Sequence, residues 1–369
     1  MPMNKNIPKK RFINYTDKWK TKQLWEITIW DKLFNEVDRN KQPQTQKYNY
    51  LLAHEIEKIY DTNGEVRILS TGKLDGYTSI DMAGKHLSSG EVITIPWGGE
   101  PNVKYHNGLF VTGDNRIATS NNLNKISNKY IYRYLESNLQ YLGTLYRGAS
   151  IKHPSMNDVL NMKVFLPEYK EQEQIGEFFQ KLDNMIELQL AKISKYEMLK
   201  ESYYDKLFPK ESHVVPELRF ENFNKEWNKS LLKELSSINT GKLNANKMVE
   251  NGKYDFYTSG IEKYKINTYS FEGPAITIAG NGATVGYMHK ANNKFDAYQR
   301  TYVLQDFKLN RDFLFLAIQT KLPKIIREEA RAGNIPYIVM DMLTEMNISF
   351  PTHNEQLKIS RIFNKLDNI

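Results

Sequence analysis

The most constraining feature of the 369-residue chain is that it carries one frame twice. Near its start stand Pro8, Arg11, Phe12 and Asn14, followed by Trp19, Leu24 and Glu26. Pro216, Arg219, Phe220, Asn222, Trp227, Leu232 and Glu234 repeat them 208 positions later. A second match closes each half. Pro167, Glu171, Gln172, Ile175, Phe179 and Lys181-Leu182-Asp183-Asn184 recur 184 positions later as Pro351, Glu355, Gln356, Ile359, Phe363 and Lys365-Leu366-Asp367-Asn368. Several identities at one constant offset make chance a poor explanation. Weaker echoes lie between: Ile93-Thr94-Ile95 with Ile276-Thr277-Ile278, Arg116 with Arg300, and Arg147 with Arg331. The first half is longer by 24 residues, mostly in residues 39–67. Matching ends around dissimilar middles suggest one frame holding two different surfaces.

The ends of the halves read as helices. From 172 to 207, Ile175, Phe179, Leu182, Ile186, Gln189, Ile193, Tyr196, Lys200, Tyr203 and Leu207 step by alternating four and three. That 3.5-residue period marks a coiled-coil seam. Pro167 and Pro209 punctuate the segment, since proline does not sit comfortably inside a helix. Ile359, Phe363 and Leu366 begin the same pattern after Glu355. The simplest reading packs this second helix antiparallel on the first. Measured against the first, the second lacks about 22 positions, the counterpart of 186–207, so it can cover only part of the seam. The middles read as mixed α/β. Strands are expected over 91–96, 161–166, 274–279, 300–304 and 346–350, and helices over 128–139 and 311–321. The fold class is therefore α+β, with two pseudo-repeated mixed domains separated by a long helix and a shortened second helix. The expected boundaries are 1–168, 169–210, 211–352 and 353–369.

Composition narrows the function classes. With no Cys, disulfide scaffolds, thiolate zinc sites and cysteine nucleophiles are excluded. The start of the chain is basic with no apolar run after it, which argues against a signal peptide. The longest apolar stretch, 313–318, is too short to span a bilayer, so a cytoplasmic protein is expected. The net charge is +8. Counted by segment it is +6 over 1–168, −2 over 169–208 and +3 over 209–352. Such mild basicity permits a polyanionic partner without demanding one.

The duplicated order resembles the specificity subunit of type I restriction–modification systems. The features that carry the resemblance are the Pro-x-x-Arg-Phe…Trp entries at Pro8 and Pro216 and the Glu-Gln pairs heading each helix. The glycine-rich stretch from Ile276 through Gly280, Gly282 and Gly286 is a third. The resemblance covers essentially the whole chain. It implies two target recognition domains, each reading half of a bipartite asymmetric DNA site, with the helices as spacer. It also implies docking of two methyltransferase subunits and of restriction (motor) subunits. This chain would then have no catalysis and no cofactor of its own. S-adenosylmethionine, ATP and Mg would belong to the partners.

No fragment makes a convincing catalytic motif. Asn334-Ile335-Pro336-Tyr337 lacks a proline of the Asn-Pro-Pro-Tyr found in amino-methyltransferases. The Gly280–Gly286 spacing is not a dinucleotide loop, and the seven histidines show no metal-ligand pairing. DNA contact is weighed from residue type: Arg, Asn and Gln read base edges, whereas Lys, Tyr and Ser hold phosphates. In the first domain the candidates are Lys73, Tyr77, Trp97, Asn102, Lys104, Arg116 and Lys152. In the second they are Lys263, Tyr264, Lys265, Asn281, Tyr287, Gln299, Arg300, Asn334 and Tyr337. Each is equally compatible with an ordinary surface or structural role. Arg116 and Arg300 occupy equivalent places in the repeat, as do Arg147 and Arg331, which also fits a frame contact. Three rival readings stand beside this one: a degenerate specificity subunit that needs self-association, a self-contained DNA-modifying or restriction enzyme, and a protein-interaction scaffold.

Overall fold

The computed structural model describes residues 8, 10–31, 41–42, 44–71, 76–210, 213–329 and 336–368. The chain divides into two compact units, Met1–Glu187 and Leu188–Ile369. The boundary falls within one continuous helix, Tyr169–Lys206, whose 38 residues give it a length of about 57 Å.

The two sequence offsets meet across a single rung pattern. In the first unit, strand Lys20–Gln23 pairs antiparallel with Lys163–Leu166, with Lys20 opposite Leu166. In the second, Asn228–Leu231 pairs with Asn347–Phe350, with Asn228 opposite Phe350. Every rung of one corresponds to a rung of the other. A one-turn helix follows each leading strand, Leu24–Ile27 and Leu232–Leu235. Glu26 and Glu234 reach back to accept from the backbone N–H groups of Gln23 and Leu231. These carboxylates satisfy donors that a helix start otherwise leaves open. Leu24 and Leu232 are fully buried at the same place in each unit, worth roughly 1.5–3 kcal/mol apiece.

The Glu-Gln pairs explain why the frame recurs. Arg11 donates through two nitrogens to both oxygens of Glu171, each at 2.6 Å, and also to the carbonyl of Asp17. Arg219 does the same to Glu355 at 2.8 and 2.9 Å, and to the carbonyl of Lys225. Both carboxylates are buried, so the paired fork of arginine is what makes their charge tolerable. Each carboxylate in turn raises the pKa of its guanidinium. The neighbouring glutamines act as caps. Gln172 accepts from Ser127 N–H and donates to the Pro167 carbonyl. Gln356 accepts from Asn310 N–H and donates to the Pro351 carbonyl. Each thereby fastens the start of a second helix, Asn128–Ser137 or Arg311–Glu329, to the frame.

The middles differ. The first unit has one six-stranded sheet. Its long hairpin, Ser88–Pro96 with Lys104–Thr112, stays continuous. In that hairpin Gly90 faces Gly108, both at φ near +140° (143° and 139°), a region that favours glycine. In the second unit the corresponding hairpin is cut in two. Ala275–Ala279 pairs with Met288–Ala291 in one four-stranded sheet, and Phe271–Glu272 pairs with Lys294–Ala297 in another. Gly273-Pro274 and Asn292-Asn293 form the break, joined by Gly273 N–H to the Asn293 carbonyl.

The expected strands and helices are present, with two differences. The helix expected to end at Lys321 runs on to Glu329 through Pro323. Among the described residues, the expected antiparallel packing is seen at the last turns: Lys200 pairs with Asp367, and Tyr203 and Tyr204 meet Phe363. These partners run in opposite directions, as an antiparallel pair requires. Phe179, Leu182 and Ile193 are not core; they are 42%, 38% and 48% exposed. Phe363 of helix His353–Leu366 meets the end of the longer helix, and with Ile359 it is buried in the core of the second unit.

Candidate nucleic-acid interface

In each unit, loops gather where the strands end. In the first, the hairpin loop 97–103 is drawn toward neighbouring turns by its own polar groups. Gly99 N–H donates to the Lys152 carbonyl and Trp97 N–H to the Asp114 carbonyl. Asn102 donates through its amide to the Thr71 carbonyl at 3.1 Å, and Lys104 donates to the Ser70 carbonyl at 2.7 Å. Trp97 lies beside the His153 ring, and His153 Nδ1 is 2.7 Å from the Trp97 carbonyl. Trp97, Asn102, Lys104 and Lys152 are therefore brought together. Lys152 is exposed and the others half-buried. Tyr77 is exposed and stacks under the Arg67 guanidinium at 4.9 Å. Lys73 lies outside the described residues.

Arg116 is placed differently. It is fully buried on the second residue of strand Asn115–Ser120. Its Nε lies 3.5 Å from Asp31, and its guanidinium covers the Trp97 ring at 5.2 Å. Asp31 also accepts from Tyr50 and from Ile117 N–H. With no exposed surface, Arg116 can support Trp97 from beneath but offers nothing to a ligand. Arg300, its counterpart in the sequence repeat, is exposed in the turn before strand Thr301–Gln305. Arg147 is exposed and paired with Asp158 at 2.6 Å, a contact that holds the Asp158 carboxyl below its ordinary range. Arg331 and Asn334 lie outside the described residues.

In the second unit, loops 258–262, 280–287 and 298–300 and residues 336–339 converge. Gly280 N–H donates to the Arg300 carbonyl, and its own carbonyl accepts from Ile338 N–H. Tyr298 N–H donates to the Tyr257 carbonyl and Gln299 N–H to the Leu243 carbonyl. This gathers Lys263, Asn281, Tyr287, Gln299, Arg300 and Tyr337 at one edge. Asn281 is half-buried and the other five are exposed. Tyr264 and Lys265 are exposed on strand Lys263–Ile266, where Lys265 pairs with Asp255 at 2.7 Å. Lys263 lies over the Tyr257 ring at 5.9 Å.

Residue type alone missed Ser259, Thr284 and His289. Ser259 donates to Asn281 Oδ1 at 2.7 Å, and Thr284 donates to the Ser259 carbonyl. The His289 ring stands between Tyr257 and Tyr287, with Nε2 3.4 Å from the Gly260 carbonyl. Burial pushes the imidazole below its ordinary value, which keeps it neutral near pH 7. Nothing in the local sequence signals these contacts, because the partners are 22 to 29 positions apart. Each edge thus combines cationic, amide and aromatic side chains on loops pinned by backbone hydrogen bonds, a set suited to a polyanion with readable edges. Among the described residues, no helix is long and apolar enough to cross a membrane.

Comparison with known proteins agrees with this arrangement. Over 144 residues the chain is 35% identical to the type I restriction enzyme EcoDI specificity subunit of Escherichia coli, covering 39% of this chain and 31% of that one. Over 273 residues it is 24% identical to the type I restriction enzyme MjaVIII specificity subunit of Methanocaldococcus jannaschii, covering 65% and 63%. The chain therefore spans from about a third to somewhat under two thirds of the length of these curated relatives. The fold is shared with the crystal structure of a type I restriction–modification system S subunit from M. genitalium, at a TM-score of 0.71 and 17% identity over 97% of this chain and 91% of that one. Residues 53–197 and 224–369 each match the type I restriction modification DNA specificity domain, and the chain belongs to that family.

Proposed function

We propose that this chain is the sequence-reading subunit of a type I restriction–modification complex, each unit reading one half of a bipartite DNA site. The observation that carries the reading is the duplicated Arg–Glu–Gln frame. It is the same in both units, yet it supports loop edges that differ in sheet topology and in the placement of their polar and aromatic side chains. Two unlike surfaces on one repeated frame suit two unlike half-sites, and a stiff helix between them suits a fixed gap. Tyr77, Trp97, Asn102, Lys104 and Lys152 are the candidate contacts of the first unit. Lys263, Tyr264, Lys265, Asn281, Tyr287, Gln299, Arg300 and Tyr337 are those of the second.

In this reading the chain performs no chemistry. Two methyltransferase subunits supply S-adenosylmethionine-dependent modification, and restriction subunits supply ATP- and Mg-dependent cleavage, in the cytoplasm. Sequencing of modified bases in cells with and without the gene tests this. The expected result is one interrupted, asymmetric methylated motif that disappears with the gene; an unchanged methylation pattern would refute it.

A further inference from the structure

Within the second unit one loop is held far more firmly than a connection between two strands requires. Strand Ala275–Ala279 is buried throughout. The chain leaves it at Gly280, where a side chain is impossible: a Cβ there would lie 2.3 Å from the Arg300 carbonyl oxygen. The loop closes again when Gly286 N–H donates to the Ala279 carbonyl at 2.8 Å and Ala279 N–H to the Tyr287 carbonyl at 2.8 Å. Those bonds alone would make a hairpin. Two further ties come from outside it. Ser259 donates to Asn281 Oδ1, and Thr284 donates to the Ser259 carbonyl. Ser259 thus holds both flanks of the loop at once.

The part held so firmly is small and open. At Gly282, φ is +90° and nothing lies within 4 Å of where a Cβ would be. Ala283 is exposed. Tyr287 and Tyr337 flank the tip, 40% and 58% exposed, and Asn281 and Tyr337 are joined by an isolated backbone bridge. With Asn281 Oδ1 engaged by Ser259, its amide N–H groups donate to no partner among the described residues. A narrow, rigid tip with amide donors beside it, and phosphate-holding side chains around it, fits the acceptor edges of base pairs in a groove. A site of this kind works only when its supports are fixed.

We infer that the Gly280–Gly286 loop is the base-reading element of the second unit, and that Ser259 is a positioning residue that presents it. This rests on the DNA-reading function proposed above. The ligand class is the hydrogen-bond acceptor edge of a base pair, with an apolar contact from Ala283.

The test uses the full chain with its methyltransferase partner and duplexes carrying the methylated motif or single substitutions in either half. Ser259→Ala is expected to lower discrimination against substitutions in one half-site about tenfold, the scale of one base contact. Discrimination in the other half, the salt slope of nonspecific binding and the unfolding of the second unit should stay unchanged. Ser259→Thr, which keeps the hydroxyl, should restore discrimination. Ala283→Glu, at an exposed position, should weaken recognition of the same half-site. Wild-type discrimination in both halves by Ser259→Ala and Ala283→Glu, or equal loss in both halves, would overturn the inference. A wild-type complex without any bipartite preference would instead overturn the function on which it rests.

Discussion

In the first unit, Glu171 accepts from Arg11 twice and also from the Trp19 indole, 3.2 Å from Oε2. In the second, Glu355 accepts from Arg219 twice, while the equivalent indole nitrogen of Trp227 is buried without a hydrogen-bond partner. Trp227 instead packs against Phe208 and Phe313. Both indoles occupy one sequence position of the frame, but one works as a donor and the other as an apolar plate. The arginine–glutamate fork is the invariant element; what surrounds it has drifted. The same contrast separates Arg116 from Arg300. Position in a repeat transmits backbone geometry faithfully and side-chain role only where the partner is repeated too.

The largest effect expected from disturbing this comparison is at the fork. Arg11→Ala or Arg219→Ala leaves a buried carboxylate unpaired and should cost about 3–5 kcal/mol in the unit that carries it. Denaturant unfolding should show one unit's transition moving while the other stays in place. A shift below about 1 kcal/mol would mean that the carboxylate escapes to water.

Next come the glutamine caps. Gln172→Leu and Gln356→Leu each strand a backbone N–H at a helix start and should destabilise by about 1–3 kcal/mol. Similar losses in the two units would sharpen the equivalence, and a loss in only one would break it. Replacing each tryptophan by Phe probes the asymmetry itself. Trp19→Phe removes a hydrogen bond to a charged group and should cost about 1 kcal/mol more than Trp227→Phe, which removes none. Equal costs would show that the Trp19 bond is energetically silent.

The smallest effect is electrostatic. Glu26 is held below the ordinary carboxylate value of 4.5 by a hydrogen bond from Lys22, whereas Glu234 is held down by one from Ser230. Each therefore binds fewer protons when folded than when unfolded. Its contribution is complete above pH 4.5 and is lost as pH falls through the folded value. A carboxyl titration followed by NMR should find the Glu26 shift reduced in high salt, which screens its lysine partner, more than the Glu234 shift, whose leading cause is a neutral hydroxyl. Equal salt sensitivity would contradict the assignment of their partners.

The frame was legible because its parts are close in sequence or recur at fixed offsets. Prolines, the Glu-Gln pairs and the strand runs mark it directly. The long helix was legible from its 3.5-residue period, but the burial of its seam was not. A period identifies a stripe, whereas burial depends on how far a partner extends. The helix expected over 311–321 continues through Pro323 because Leu322 and the nearby Ile325 and Ile326 pack on the core and hold it past that point. The loop edges were half legible. Arg, Asn, Lys and Tyr could be picked by type. The burial of Arg116 beside Asp31, 85 positions away, and the ties made by Ser259 depend on tertiary neighbours that no local pattern encodes.

The central claim is that two copies of one frame present two different reading surfaces to DNA. Comparing Asn102→Ala with Arg300→Ala, both of base-reading type, tests it most directly, by binding each variant complex to duplexes mutated in one half-site or the other. The account predicts that each variant loses preference at a different half-site and keeps it at the remaining one. Loss at the same half-site by both variants, or uniform weakening with no change in sequence preference, would contradict it.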